Sequence, residues 1–409
     1  MGPVLIFDKS FLQSLNPDES AWLDHFFLTN ITPIFYVETL ADLEKEIRNG
    51  RTPEQVVGNL AYKTPDSKSK PNVHHLTLLT AELDGQWIDM RFGRPIIAGA
   101  KKVQRKNKTG FIVPPSPEEE ALSRWGQEQF IELERSLAAN WRAALNAVDN
   151  EQLYRNAREL VEKKGKPKTL SQAKDFAITL LKEADQEALL ITGMKIFGIS
   201  EDIQENALVR WRRSQRSSIT EVFPYLGYLL TVEYFFYVAV GCDLISKDRA
   251  SHKVDLAYLY YLPFCMVFTS NDKLHLQIVP LFLNPQQTCF QGTDLKADLT
   301  KLDAYYSTFP PEVKNQGMYK FASQPPLDQD FLISKLWRKY MNVTGIATLD
   351  HDAAPTEEQA EIVSCLNEFQ REAISSSSDF DADESDVIII ERSVLLQKGK
   401  WRRFPPEVN

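Results

Sequence analysis

One stretch constrains the fold more than any other: Lys253 to Leu276, reading KVDLAYLYYLPFCMVFTSNDKLHL. Asp255 opens a short helical pattern (LAYLYYL), the chain passes through Pro263 into an apolar β-type run (FCMVFTS), and the run ends on Asn271-Asp272. A helix feeding a buried strand that ends on an acid is a unit of an α/β sheet, and ligands gather beyond the carboxyl ends of such strands. Asp272 follows the strand directly, and Asp255 stands at a helix N-terminus on the same edge. The two carboxylates can therefore converge.

The N-terminus offers two more acids. Val4-Leu5-Ile6-Phe7 reads as a buried strand ended by Asp8-Lys9-Ser10 and then a helical pattern, FLQSL. In PIFYVETLADLE, Glu38 follows a short apolar run, PIFYV, and precedes helix-forming residues. Residues 1–60 thus alternate strand, helix (Pro17 to Phe27, capped by Asn16), strand and helix. Taken singly, each acid is more often a helix cap or turn residue than a ligand. Four on one edge repel one another unless cations sit among them, and such oxygen donors suit Mg²⁺ or Mn²⁺.

Strand-Asp-x-Ser at the start, a Glu about thirty residues on, an Asp opening a helix and finally strand-Thr-Ser-Asn-Asp resemble the acidic quartet of the PIN (PilT N-terminus) superfamily of metal-dependent ribonucleases. The matching residues are Asp8, Glu38, Asp255 and Asp272; Ser10, Thr269 and Ser270 match the hydroxyl residues beside the first and last acids. The resemblance covers roughly the first fifty residues and a block around 220–285. This chain departs from a compact PIN domain by a long insertion between Glu38 and Asp255, and Asp42, Glu44 or Glu233 stand as alternatives for the second acid. The resemblance implies a PIN-like parallel-sheet core and metal-assisted phosphodiester hydrolysis. Asp8, Glu38, Asp255 and Asp272 would hold one or two Mg²⁺ or Mn²⁺ ions, with Ser10, Thr269 and Ser270 as positioning groups behind them.

Composition describes an ordinary globular protein: 409 residues, 43% hydrophobic, 25% charged, enough for one large elaborated domain or two to three smaller ones. A net charge of −9 argues against coating nucleic acid by bulk charge, although a nuclease needs only a local basic track. Cys242, Cys265, Cys289 and Cys365 are widely spaced, so neither a zinc knuckle nor a disulfide framework is expected. The chain starts directly with a strand and leaves no room for a signal peptide, so a cytoplasmic location is expected. Val222 to Val240 is apolar, but Glu233 near its middle, Pro224 near its start and four tyrosines fit a buried core helix better than a membrane span. No stable membrane association is expected.

The stretch 61–218 reads as an insertion. Arg91, Arg94, Lys101, Lys102, Arg105, Lys106 and Lys108 form a block without acids, and RPIIAG and GFIVPP suggest a hairpin with a Lys-rich tip. Such an arm suits RNA phosphates as well as a solvated loop. A capping box at Ser116 to Glu119 starts a helix predicted to reach Val148, with further helices at 151–163, 170–194 and 201–213. The last runs into RWRRSQR, where Arg212 and Arg213 are a second RNA-contact candidate against the alternative of a dipole-favoured helix end. The core resumes at 219–310, where IVPLFL is expected as a strand and 293–306 as a helix. An extension (311–374), an acidic linker expected to be disordered (375–386, SSSSDFDADESD) and a tail (387–409) follow.

The expectation is an α/β protein with a PIN-like parallel-sheet core, a large, mainly helical insertion and a partly disordered C-terminal extension. Its expected function is a metal-dependent endoribonuclease in a toxin or phage-defence setting, acting on RNA, with a second copy of the chain or a regulatory protein open as partner. The alternative is a catalytically inactive PIN-like module for RNA binding or assembly. No P-loop, H-E-x-x-H, G-x-S-x-G or dinucleotide glycine fingerprint is present.

Overall fold

The computed structural model describes residues 2–47, 50–71, 73–91, 101–105, 108–113, 117–132, 134–136, 158–159, 161–162, 165–215, 217–247, 252–341, 387–390 and 394–406, with side chains for all but 44–47, 70–71, 101–105, 108–113, 117, 119 and 387–390. In chain order the strands are β1 (Val4–Phe7), β2 (Leu28–Ile31), β3 (Ser69–Pro71), β4 (Lys101–Arg105), β5 (Lys108–Val113), β6 (Val267–Ser270), β7 (Thr288–Gln291), β8 (Val387–Ile390), β9 (Gln397–Lys398) and β10 (Trp401–Arg402).

Five of them make one parallel sheet, ordered β3-β2-β1-β6-β7. From β1 the chain first builds outward through β2 to β3, then returns after the insertion to place β6 and β7 on the other side. The order therefore reverses between β1 and β6, whose register pairs Leu5 with Val267 and Phe7 with Thr269. In a sheet of this kind the crevice at the carboxyl ends of two such strands is open, because their following helices leave to opposite faces.

Side-chain alternation sorts the core into two halves. Ile6 and Phe268 join the cluster of the insertion helices Leu170–Glu183 and Gln186–Ile196 and of the helix Pro224–Gly241 that follows the insertion. Leu5, Phe7 and Val267 join a second cluster, against helices Pro17–Phe26, Gly292–Ser307 and Leu332–Tyr340. The apolar helix Pro224–Gly241 is a core helix as expected, and among the described residues no helix is long and apolar enough to cross a membrane. Its buried Glu233 is held by Lys253 and the Tyr260 hydroxyl, which places it away from the role of second acid.

Several elements differ from expectation. PIFYV is not a strand: Pro33 begins a helix that runs to Ile47, because proline suits the first helical turn, and the strand lies earlier, at LTNI. The polar stretch after Thr64 supplies β3, a short edge strand, so the first part of the sheet extends past residue 60. IVPLFL belongs to helix Lys273–Phe282 despite Pro280, and the strand that follows is TCFQ. The helix from Pro117 stops at Gly126; there the Glu134 carboxylate takes up Arg124, the Trp125 indole N–H and the Ile131 amide. The predicted 170–194 helix is split at Ala184, with Asp185 capping its second part. The basic hairpin exists, formed by β4 and β5, with the lysines in the strand itself rather than only at the tip, and β8 adds to it in parallel. Residues 137–157, the linker 375–386, Arg94 and Lys106 lie outside the described residues.

Candidate active site

Asp8 ends β1 and caps the helix Lys9–Ser14, accepting from the Phe11 amide at 2.9 Å. Its other oxygen receives the hydroxyls of Ser10 (2.6 Å) and Ser270 (2.7 Å). Asp272, two residues past β6, caps helix Lys273–Phe282; its Oδ1 accepts from the amides of Leu274 and His275. Both acids thus arise from one local rule, an acidic N-cap immediately after a parallel strand, repeated on adjacent strands.

Asp255 lies in the short helix His252–Ala257, which begins three residues before it, and the LAYLYYL segment after it is largely a 3₁₀ turn (Tyr258–Phe264) rather than the helix expected from Asp255. Glu38 lies within helix Pro33–Ile47, one turn in, where Tyr258 donates its hydroxyl to Oε2 at 2.7 Å. Lys9 reaches over it, with Nζ 3.9 Å from Glu38 Oε1 and an ion pair to Asp42. Asp42, the alternative second acid, is therefore matched by a lysine; the side chain of Glu44 is outside the described residues. Ser10 and Ser270 stand where expected. Thr269 does not: its hydroxyl bonds the Phe290 carbonyl on β7, because alternation turns it away from the strand end.

Three residues were not singled out from the sequence. His275, 1% exposed, touches three of the acids: Nδ1 lies 3.6 Å from Asp8 Oδ2 and 2.9 Å from Ser270 Oγ, Nε2 lies 2.8 Å from the Asp255 carbonyl, and its amide donates to Asp272. A carbonyl can only accept, so Nε2 donates. Ser270 gives its one proton to Asp8, so Nδ1 donates as well, and the ring is an imidazolium. Burial opposes that charge, yet Asp8 and Asp255 push the His275 pKa up to about 9. Lys9 and Tyr258 are the other two. The signal for His275 was its place three residues after the capping Asp272, on the first turn that faces back to the strand end.

The electrostatics tie the four acids into one group. Burial works to raise Asp8, but His275, Ser10 and Ser270 outweigh it and hold this carboxyl below the ordinary range. Glu38 is raised by burial and by Asp8 despite Lys9. Asp255 is pushed up to about 7 by burial, with Asp272, Glu38 and Asp8 adding to the rise against His275. Its carboxyl has no hydrogen bond or ion pair among the described residues. Asn271 Oδ1, between Ser270 and Asp272, is a buried acceptor without a donor among the described residues. The donor set is therefore all oxygen and includes a carboxyl without a partner among the described residues, which fits a hard cation in chemistry. In spacing it is open: no three His, Cys, Asp or Glu among the described residues are drawn together as a ready ligand group.

Of the basic candidates, Lys101, Lys102 and Arg105 lie along β4. Arg212 pairs with Glu187, while Arg213 is exposed with no partner among the described residues. Arg210 caps a neighbouring helix, donating to the carbonyls of Glu82 and Leu83.

The fold and edge define an α/β protein with an acidic cluster at the reversal point of a parallel sheet. No protein-family model matches the chain, and no curated protein and no solved structure matches it.

Proposed function

We propose that this protein is a metal-dependent endoribonuclease of PIN-like type, cutting RNA at the edge formed by Asp8, Glu38, Asp255 and Asp272. The observation that carries the proposal is the buried carboxyl of Asp255, without a hydrogen-bond partner among the described residues and facing the charges of three further acids. Mg²⁺ or Mn²⁺, held by these four residues, would supply charge stabilisation for the phosphorane and a water of lowered pKa. The chain's own residues do the rest. Ser10, Ser270 and His275 fix the orientation of Asp8; the amides of Leu274 and His275 fix Asp272; Tyr258 fixes Glu38. Preorganisation of this kind keeps ligands in place without reorganisation during the reaction. The hairpin β4-β5 and the exposed Arg213 suit RNA phosphates on the approach. A cytoplasmic location belongs to the same proposal, and a toxin or phage-defence setting rests on the resemblance alone.

The test is cleavage of labelled single-stranded RNA and of structured tRNA by purified protein with Mn²⁺, with EDTA, and by the Asp8→Asn/Asp272→Asn variant. Cutting that needs metal and vanishes in the variant is the expected result; cutting that survives EDTA or the variant overturns the proposal.

A second reading has its own observation. Lys9 and His275 already set two positive charges among the acids. In an inactive RNA-binding or assembly module those cations would balance the cluster permanently. RNA binding without cleavage, under all metal conditions and unchanged by Asp255→Asn, is the outcome that favours it.

A further inference from the structure

The last described residues, 394–406, are seated on the body of the protein mainly through side chains, with the Tyr319 amide donating to the Arg403 carbonyl, rather than by the parallel sheet. Among the described residues, strands β9 and β10 pair only with each other. Lys398, 1% exposed, and Arg403, 3% exposed, enclose Asp24 and Asp66: Lys398 Nζ is 3.4 Å from Asp66 Oδ1 and 4.0 Å from Asp24 Oδ2, and Arg403 bonds both carboxylates. The body prepares Asp24 for this, since the amides of Asp66, Ser67 and Lys68 also donate to it.

Between the two cations, Trp401 lies edge-on to Trp22 at 4.7 Å and donates its indole N–H to Asp303 at 2.6 Å, where Lys400 also binds. The hairpin tip at Gly399 has φ +59 and no room for a side chain, because an added Cβ would lie 2.1 Å from Asp18 Oδ1. Trp401 packs into the core cluster of Trp22 and Tyr306 and is flanked by cations that meet buried acids; a tryptophan anchor in such a setting has the anatomy of an interface hot spot.

We propose that the face carrying Trp22, Asp24, Asp66, Asp303 and Phe321 is a receptor for a basic, tryptophan-centred peptide, and that residues 394–406 are its tethered occupant, able to leave it without unfolding of the body. The inference is independent of any nuclease activity. Tethering keeps the occupant's local concentration high, so the seat is filled in the intact chain although the segment adds nothing to the parallel sheet.

The test uses the full chain. Hydrogen exchange on the wild type compares the amides of 396–403 with those of helix Pro17–Phe26 under native conditions. The proposal expects the tail amides to exchange at least ~10-fold faster, through an opening of their own. A Trp401→Ala/Arg403→Met variant is then titrated with a fluorescent synthetic peptide of residues 394–406. Saturable one-to-one uptake by the variant, little uptake by the wild type, and none of a peptide lacking the tryptophan are expected. Equal exchange of tail and helix in the wild type shows a single cooperative unit and overturns the proposal, as does a folded variant that takes up no peptide. If the variant does not fold, the wild-type exchange alone decides. Uptake of wild-type tail from a second copy, seen as dimer in the same titration, supports the receptor and identifies an exchangeable occupant.

Discussion

Asp255 and His275 act on stability in the same direction. A carboxyl whose folded pKa stands near 7 instead of 3.8 is penalised in the folded state as soon as it ionises; the penalty begins above pH 3.8 and is complete above about 7. A histidine whose folded pKa stands near 9 instead of 6.5 gives stability that is full below 6.5 and lost as pH rises through 9. Metal-free protein should therefore lose stability steadily from pH 5 to 9 in urea denaturation with EDTA present. Asp255→Asn should gain on the order of 1–3 kcal/mol at pH 7.5 while abolishing cleavage. A variant no more stable than wild type at that pH would show that burial and the other three acids do not load this carboxyl. At this scale the sequence was readable where an acid follows an apolar run, as at Asp8 and Asp272. It gives Lys9 no signal and His275 only its place three residues after Asp272, because the contact of His275 with Asp8 joins positions 267 residues apart and that of Lys9 with Glu38 depends on a helix direction that no local pattern specifies.

The element that makes Asp272 useful is the start of a helix, so two chemistries overlap in one side chain. Asparagine caps a helix about as well as aspartate, whereas alanine does not. Asp272→Asn should leave the melting temperature nearly unchanged and still remove activity; Asp272→Ala should cost a further ~1 kcal/mol of stability. If both variants melt alike, the bonds to Leu274 and His275 contribute little. Strands β1 and β6 were legible because both flank an acid and are buried on both faces. PIFYV and IVPLFL were misjudged as strands since short apolar runs carry no period that separates strand from buried helix. Proline at the start of the one and near the end of the other did not decide the matter by itself. β3 and β7 carry no strand signal in the sequence, because neither is a continuous apolar run.

Across the whole molecule, the sheet separates two cores, and helices of the insertion share one of them with the residues 219–279. Within that core Glu233 is 0% exposed and depends on Lys253 and Tyr260. Lys253→Met should destabilise by ~3–5 kcal/mol by leaving a buried carboxylate short of its cation, and Glu233→Leu in addition should recover much of that. Additive losses in the double variant, measured by denaturation, would mean that the pair is not coupled. The helical character of the insertion was evident from its periodicity, but its packing against Ile6 and Phe268 was not, since those contacts join segments far apart in the chain.

That distance has a consequence in time. The hydroxyl that Ser270 gives to Asp8 spans 262 positions. At the pace of translation, roughly 5–20 residues per second, the first acid leaves the ribosome roughly 13–50 seconds before its partner exists. Until then β1 has no β6 beside it and Asp8 has neither Ser270 nor His275. A nascent chain therefore cannot display the assembled edge, and whatever that edge does begins only after synthesis has passed the strand that completes it.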